Sequence, residues 1–182
     1  MRAAWLDDDR MALLLTALMP DNRLALEVAL VTGLRIGDVL ALRPADLRTQ
    51  RPTITERKTG KHRRVYIPAR LRELLLRGCG RYWVFEGRLD PKKHRTRQAV
   101  YKDLRRAARL YRVDGQPIQP HISPHSTRKM YAVHDLQRHG GDLRAVQHDM
   151  LHSDPAVTAL YAYADRLTAP LHNVCSGKRK HK

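Results

Sequence analysis

Apolar residues recur at helical spacing over most of the chain. Residues 7 to 18 read as a helix, with Asp7, Asp8 or Asp9 able to cap its start and Leu13, Leu14, Leu15 and Leu18 supplying an apolar face. Pro20 and Asp21 end it and open a second helix over about 21 to 32, for which Gly33 is the expected stop. A short helix follows in RIGDVLAL, closed by Pro44. The spacing then changes to that of strands. Residues 52 to 57 (PTITER) are β-rich, 58 to 61 (KTGK) form a turn, and RRVYIP alternates and ends at Pro68. With Gly60 permitting the bend, this is a β-hairpin signal. Residues 69 to 77 return to helix, 82 to 86 (YWVFE) read as a short strand, and GRLDPKKHRTR is a basic loop. A helix from about 96 to 112 gathers Val100, Leu104, Ala107, Ala108 and Tyr111 on one side and Lys and Arg on the other. After the Pro- and Gly-bearing connection VDGQPIQPHI, three more helices are expected, at 124 to 138, 142 to 150 and 155 to 163. The predicted fold class is mainly α (α+β), a helical domain with a small antiparallel β-sheet or hairpin near residues 52 to 68.

The length, 182 residues, suits one compact domain with short tails, and 42% hydrophobic residues suffice for a core. No internal repeat and no boundary between two large domains is visible. Residues 1 to 174 are read as the domain, and 175 to 182, ending in GKRKHK, as a disordered basic tail. Charge adds most to the picture. Thirty-five Lys and Arg face 18 Asp and Glu, a net +17, which draws in polyanions, of which nucleic acid is the commonest large one. Charge alone fits a ribosomal component equally well and says nothing of catalysis. Cys79 and Cys175 lie in no CxxC pair and read as reduced thiols. No apolar run approaches the length of a membrane span, so no membrane partner and a cytoplasmic location are expected.

Four separate segments each place a phosphate-binding residue in a defined local setting. In TGLRIGDVLALRPADL, residues 32 to 47, Arg35 opens a short helix and Asp38 lies on the same face, where it can orient the guanidinium. The planar fork of arginine suits phosphate. In the hairpin turn, Lys58 can reach into a cleft from anchored strands, while Lys61, Arg63 and Arg64 offer charge to a DNA backbone. In SPHSTRKMYAVHDL, residues 123 to 136, Ser123 can cap a helix whose first position is Pro124; His125 and Arg128 then share one face of its first turn. In MLHSDPAVTALYAYAD, residues 150 to 165, Asp154 and Pro155 make a helix start, with His152 before it and Tyr161 on it. Each segment alone is better read as ordinary surface or core; chance must supply all four in order.

Together they resemble the tyrosine recombinase, or phage integrase, family. TGLRIGD resembles its first box, with Arg35 as the arginine and Asp38 in the place of the usual acidic residue. Lys58 in KTGKHRRVYIP resembles its hairpin lysine, and His125 and Arg128 its His–x–x–Arg box. GGDLRAVQHDMLHSD resembles the segment leading to its second histidine, which falls on His152, and the nucleophile then falls on Tyr161. Leu151 stands where the family often has Gly, and Thr127 where it often has Leu. Tyr163 ranks second as nucleophile, because two residues along a helix turn it to another face.

The resemblance implies a reaction. Tyr161 attacks a phosphodiester of double-stranded DNA, giving a 3′-phosphotyrosyl link that a 5′-hydroxyl from another strand later attacks. Arg35, Arg128 and His152 would clamp the non-bridging oxygens, Lys58 would protonate the leaving oxygen, His125 would take the tyrosine proton or hold the phosphate, and Asp38 would support Arg35. No cofactor and no metal ion are expected. The resemblance also implies a homo-oligomer, a tetramer, on DNA, a preceding helical domain that is absent or truncated here, and a segment such as 166 to 174 passed to a neighbouring subunit. Two alternatives stay open: DNA relaxation in the manner of a type IB topoisomerase, and a catalytically silent DNA-binding regulator of the same fold.

Overall fold

The structure is a computed structural model and describes residues 6–113, 115–119 and 121–150. The expected helix at 155 to 163, the tail, His152, Tyr161 and Tyr163 lie outside the described residues.

Helix α1 spans Asp8–Thr16, and Asp7 caps it by accepting the Arg10 amide at 2.8 Å. Helix α2, Pro20–Thr32, begins with proline, whose missing N–H costs nothing there, and ends at Gly33 with φ +64°. A Cβ on Gly33 would sit 2.4 Å from Cδ1 of Tyr131, so both the left-handed backbone and the close approach require glycine. Helix α3, Ile36–Leu40, follows at once, then a single 3₁₀ turn, Pro44–Arg48.

The hairpin pairs β1, Thr53–Thr55, with β2, His62–Arg64, antiparallel, Ile54 standing opposite Arg63. Gly60 takes φ +69° in its turn. Helix α4 is Ala69–Gly78 and α5 is Arg97–Leu110, the latter capped by Thr96 and burying Val100, Leu104, Ala107 and Ala108 as its pattern predicts. A second, very short pair, β3 (Arg112–Val113) and β4 (Gln116–Pro117), lies between α5 and α6. Helix α6 is His125–Arg138 and α7 is Leu143–Asp149. The fold is thus mainly α with a small antiparallel sheet.

Two expectations are corrected. Residues 82 to 86 form no strand: Val84 and Phe85 are buried, but their backbone bonds go singly to Leu42 and Arg95, and an isolated bridge, Glu86 to His94, is all the pairing present. The apolar run packs a loop onto the core without a neighbouring strand to make a ladder. Pro124 is the residue before α6, not its first, and the hydroxyl of Ser123 accepts the His125 amide at 3.3 Å.

Helix α2 is the centre of the molecule, packing against α1, α3, α4, α5 and α6. Ala25, Leu26, Val28 and Ala29 are fully enclosed, and each large side chain so buried contributes about 1.5–3 kcal/mol. A second, smaller cluster joins α6 to α7 through Tyr131, Ala132, Leu136, Val146 and Met150. It fixes the end of α7 against α6.

Candidate active site

Three chain breaks in regular structure meet at one buried carboxylate. The first is the α2–α3 junction. Because Gly33 turns the chain back, Arg35 becomes the extended residue before α3, its carbonyl accepting the amides of Asp38 at 2.8 Å and Val39 at 3.1 Å. The second is the hairpin turn. The third is the first turn of α6, which carries His125 and Arg128.

The carboxylate is Glu56, fully enclosed at 0% exposure. Arg35 donates from Nη1 to its Oε2, and Thr59 Oγ1 donates to the same oxygen at 3.1 Å. Its Oε1 lies 3.8 Å from Nη1 of Arg128, whose side chain is 2% exposed. Arg128 donates from Nη1 to the carbonyl of Gly33 and from Nη2 to that of Met150 at 2.6 Å. Two guanidinium groups from distant parts of the chain are therefore brought to one carboxylate, Arg35 bonded to it and Arg128 beside it. Such paired forks suit an anion with several acceptor oxygens. Sequence reading passed over Glu56 because one acid among the cations of a hairpin looks like a solvated charge. Its place just after β1 was the available signal: it follows the inward-facing Ile54 by two residues and is buried like it.

His125 joins this group through its electrostatics. Loss of surrounding water, and after it the positive charges of Arg128, Arg35, Lys129 and Lys58, hold its imidazole below the ordinary histidine value. The neutral ring is thus favoured although the residue keeps an exposed edge. Lys58 is exposed on the turn. The structure therefore gathers Arg35, Lys58, His125 and Arg128, while His152 and Tyr161 lie outside the described residues.

Asp38 and Arg63 do not stand where the sequence suggested. Asp38 is buried, but its Oδ1 accepts the Arg57 amide at 3.0 Å rather than the guanidinium of Arg35, so it supports the hairpin and not the arginine. Helical spacing misled here because Arg35 precedes the helix and its side chain leaves in another direction. Arg63 is 7% exposed and packs over the Tyr131 ring, 5.4 Å from its centre. Burial alternates from it to Val65 and Ile67 beyond β2, whereas Lys61 and Arg64 are exposed as expected. Thr127, in the place of a common leucine, is buried and returns its hydroxyl to the Pro124 carbonyl at 2.8 Å, so the polar substitution is internally satisfied.

Among the described residues, one trio could offer ligands to a cation: Asp135, His139 and Asp149, whose donor atoms lie within 4.8 Å of one another. Asp135 is already engaged by Arg138 at 2.6 Å and Asp149 by His139 at 3.2 Å. A surface cavity of about 990 Å³ lies between Met19, the Gly87–Asp90 loop and Asp103. None of the four gathered residues lines it, and Asp103 there is satisfied by Asn22, the Met19 amide and Arg106.

The model of the phage integrase family matches residues 4–167. The chain belongs to the phage integrase family. A putative integrase/recombinase of Sinorhizobium fredii, y4qK, is 35% identical over 137 residues, covering 71% of this chain and 42% of that protein. Tyrosine recombinase XerD of Yersinia pestis is 27% identical over 152 residues, 78% of this chain and 49% of that protein. The chain thus spans about half the length of these curated relatives. Among solved structures, the catalytic domain of bacteriophage HP1 integrase aligns with a TM-score of 0.64 at 22% identity, over 94% of this chain and 98% of that one. A lambda integrase fragment, solved as a dimer bound to a COC′ core site, aligns with a TM-score of 0.69 at 19% identity, over 100% of this chain and 64% of that one. These likenesses show a shared fold.

Proposed function

We propose that this integrase is the catalytic domain of a site-specific recombinase that cleaves and rejoins double-stranded DNA through a 3′-phosphotyrosyl bond to Tyr161. One observation carries the reading: the guanidinium groups of Arg35 and Arg128 converge on the single carboxylate of Glu56, at the foot of the turn bearing Lys58. A phosphodiester on this surface would meet both arginines, and the charge it gathers in the transition state would be stabilised by donors already in place.

In the proposed sequence, the Tyr161 oxygen bonds to phosphorus as the 5′ oxygen departs. Lys58 gives that oxygen its proton, and neutral His125 accepts the tyrosine proton or holds the phosphate. His152 joins the clamp. A 5′-hydroxyl then displaces tyrosine, so the phosphodiester energy is kept in the covalent intermediate and neither ATP nor a metal is required by the chemistry. Lys61 and Arg64 are the flanking contacts to the DNA backbone. The active assembly is a homo-oligomer, a tetramer, on DNA in the cytoplasm, with residues 166 to 174 exchanged between neighbours; the lambda integrase structure, a DNA-bound dimer, supports assembly on DNA. Among the described residues no helix is long and apolar enough to cross a membrane.

Suicide duplexes, which trap the covalent product by losing the attacking strand, test the proposal. The native chain should form a protein–DNA adduct mapping to Tyr161, and Tyr161→Phe should abolish it while DNA binding persists. An adduct surviving in the Phe variant refutes the assignment.

A further inference from the structure

Glu56 belongs to no part of the reaction just described, yet it is the group on which the arginines meet. We propose that Glu56 is a positioning residue that sets the aim of Arg35 beside Arg128 and ties it to the turn carrying Lys58; this rests on the proposed cleavage reaction.

The geometry divides the carboxylate between its partners. Oε2 takes the Arg35 and Thr59 donors, while Oε1 has no hydrogen-bond partner and faces Arg128 Nη1 at 3.8 Å. An enclosed oxygen without a donor is a standing cost unless a charge lies beside it. The cation beside it is Arg128, which is held by the Gly33 and Met150 carbonyls and lies too far from Oε1 for a direct bond. Arg35 is thus fixed by contact with Glu56, and Arg128, fixed by the two carbonyls, faces the other oxygen of the same carboxylate. Anchoring one corner of a planar fork sets the direction of its remaining donors.

The backbone of the same residue starts the turn. Its amide donates to the Lys61 carbonyl at 2.9 Å, and its carbonyl accepts the Gly60 amide at 2.8 Å and the Thr59 amide at 3.3 Å. Lys58 sits inside this loop of bonds. A shift of Glu56 would therefore move the acid-donating lysine and the clamp together, which keeps the leaving oxygen and the non-bridging oxygens in register.

Reach, more than charge, is what this arrangement demands, and two substitutions separate the two. Glu56→Asp keeps the charge but withdraws the carboxylate by one methylene. Glu56→Gln keeps the length and an acceptor for Arg35 but loses the charge. The full chain and both variants are assayed on suicide duplexes at saturating DNA, at a temperature where melting curves show each fully folded, with DNA affinity measured separately. Glu56→Asp should slow single-turnover cleavage about a hundredfold, the scale of an ångström's misplacement, with DNA affinity changed less than about threefold. Glu56→Gln should cleave within about tenfold of the native rate. A merely structural role would lower folding without splitting rate from affinity. Asp cleaving like the native chain, or Gln falling as far as Asp, overturns the proposal. A native chain that forms no adduct on any duplex refutes the cleavage reaction itself, and this inference with it.

Discussion

Arg128 Nη2 donates to the carbonyl of Met150 at 2.6 Å, so a candidate clamp residue in the first turn of α6 is bonded to the residue that ends α7. Met150 is fully buried in the small cluster that joins the two helices. The end of α7 is thus tied to the same arginine that is proposed to bind phosphate.

Met150→Ala should therefore have two effects. Removing an enclosed methionine side chain should cost about 2–5 kcal/mol, read as a lower denaturant midpoint. Loosening the α7 end should also slow adduct formation in molecules that remain folded. Unchanged stability would mean that the α6–α7 cluster is not packed as described.

Gly33→Ala should be among the most damaging single-methyl changes. The left-handed backbone at φ +64° costs a side chain about 1–2 kcal/mol, and the added Cβ would also strike Tyr131. Because the Gly33 carbonyl also holds Arg128, cleavage should fall further than stability alone explains. Chemical denaturation and adduct assays on the same sample separate the two.

His125 should titrate below about 6.5, the ordinary histidine value, when followed by proton NMR. Its folded value is depressed, so the unfolded chain binds the proton more readily. Its contribution to stability is therefore complete above about 6.5 and lost as pH falls through the folded value. Lys58→Met removes one of the depressing charges and should move the titration upward. No movement would place Lys58 too far from His125 for a shared site.

The two faces of the hairpin should separate in DNA binding. Lys61→Ala or Arg64→Ala should each reduce the salt slope of binding by about one. Arg63→Leu should leave that slope unchanged, because Arg63 faces inward over Tyr131. Its buried Nη1 lacks a hydrogen-bond partner, so replacement by an apolar side chain should cost little stability. A lower slope in Arg63→Leu would return that arginine to the DNA surface.

Local pattern alone was enough to read the helices. The apolar face of α5, the capping aspartate of α1, the glycine after α2 and the Gly60 turn are each set by residues within a few positions of one another, and all stand where the pattern put them. The alternation of Arg63, Val65 and Ile67 was equally local, and it outweighs the charge that made Arg63 look like a surface residue. The strand expected at 82 to 86 failed for the opposite reason: a strand needs a partner, and no short-range pattern supplies one.

The order of the four motifs, with their residue types, carried the family. What the chain could not state in one dimension was how the side chains of those motifs are held. Asp38 was near Arg35 in sequence and went to the Arg57 amide; Glu56 was distant and took the guanidinium. Burial decided this: a carboxylate enclosed at 0% exposure has to be paired with whatever cations the packed helices bring to it, and only the packing of α2 against α6 determines which those are.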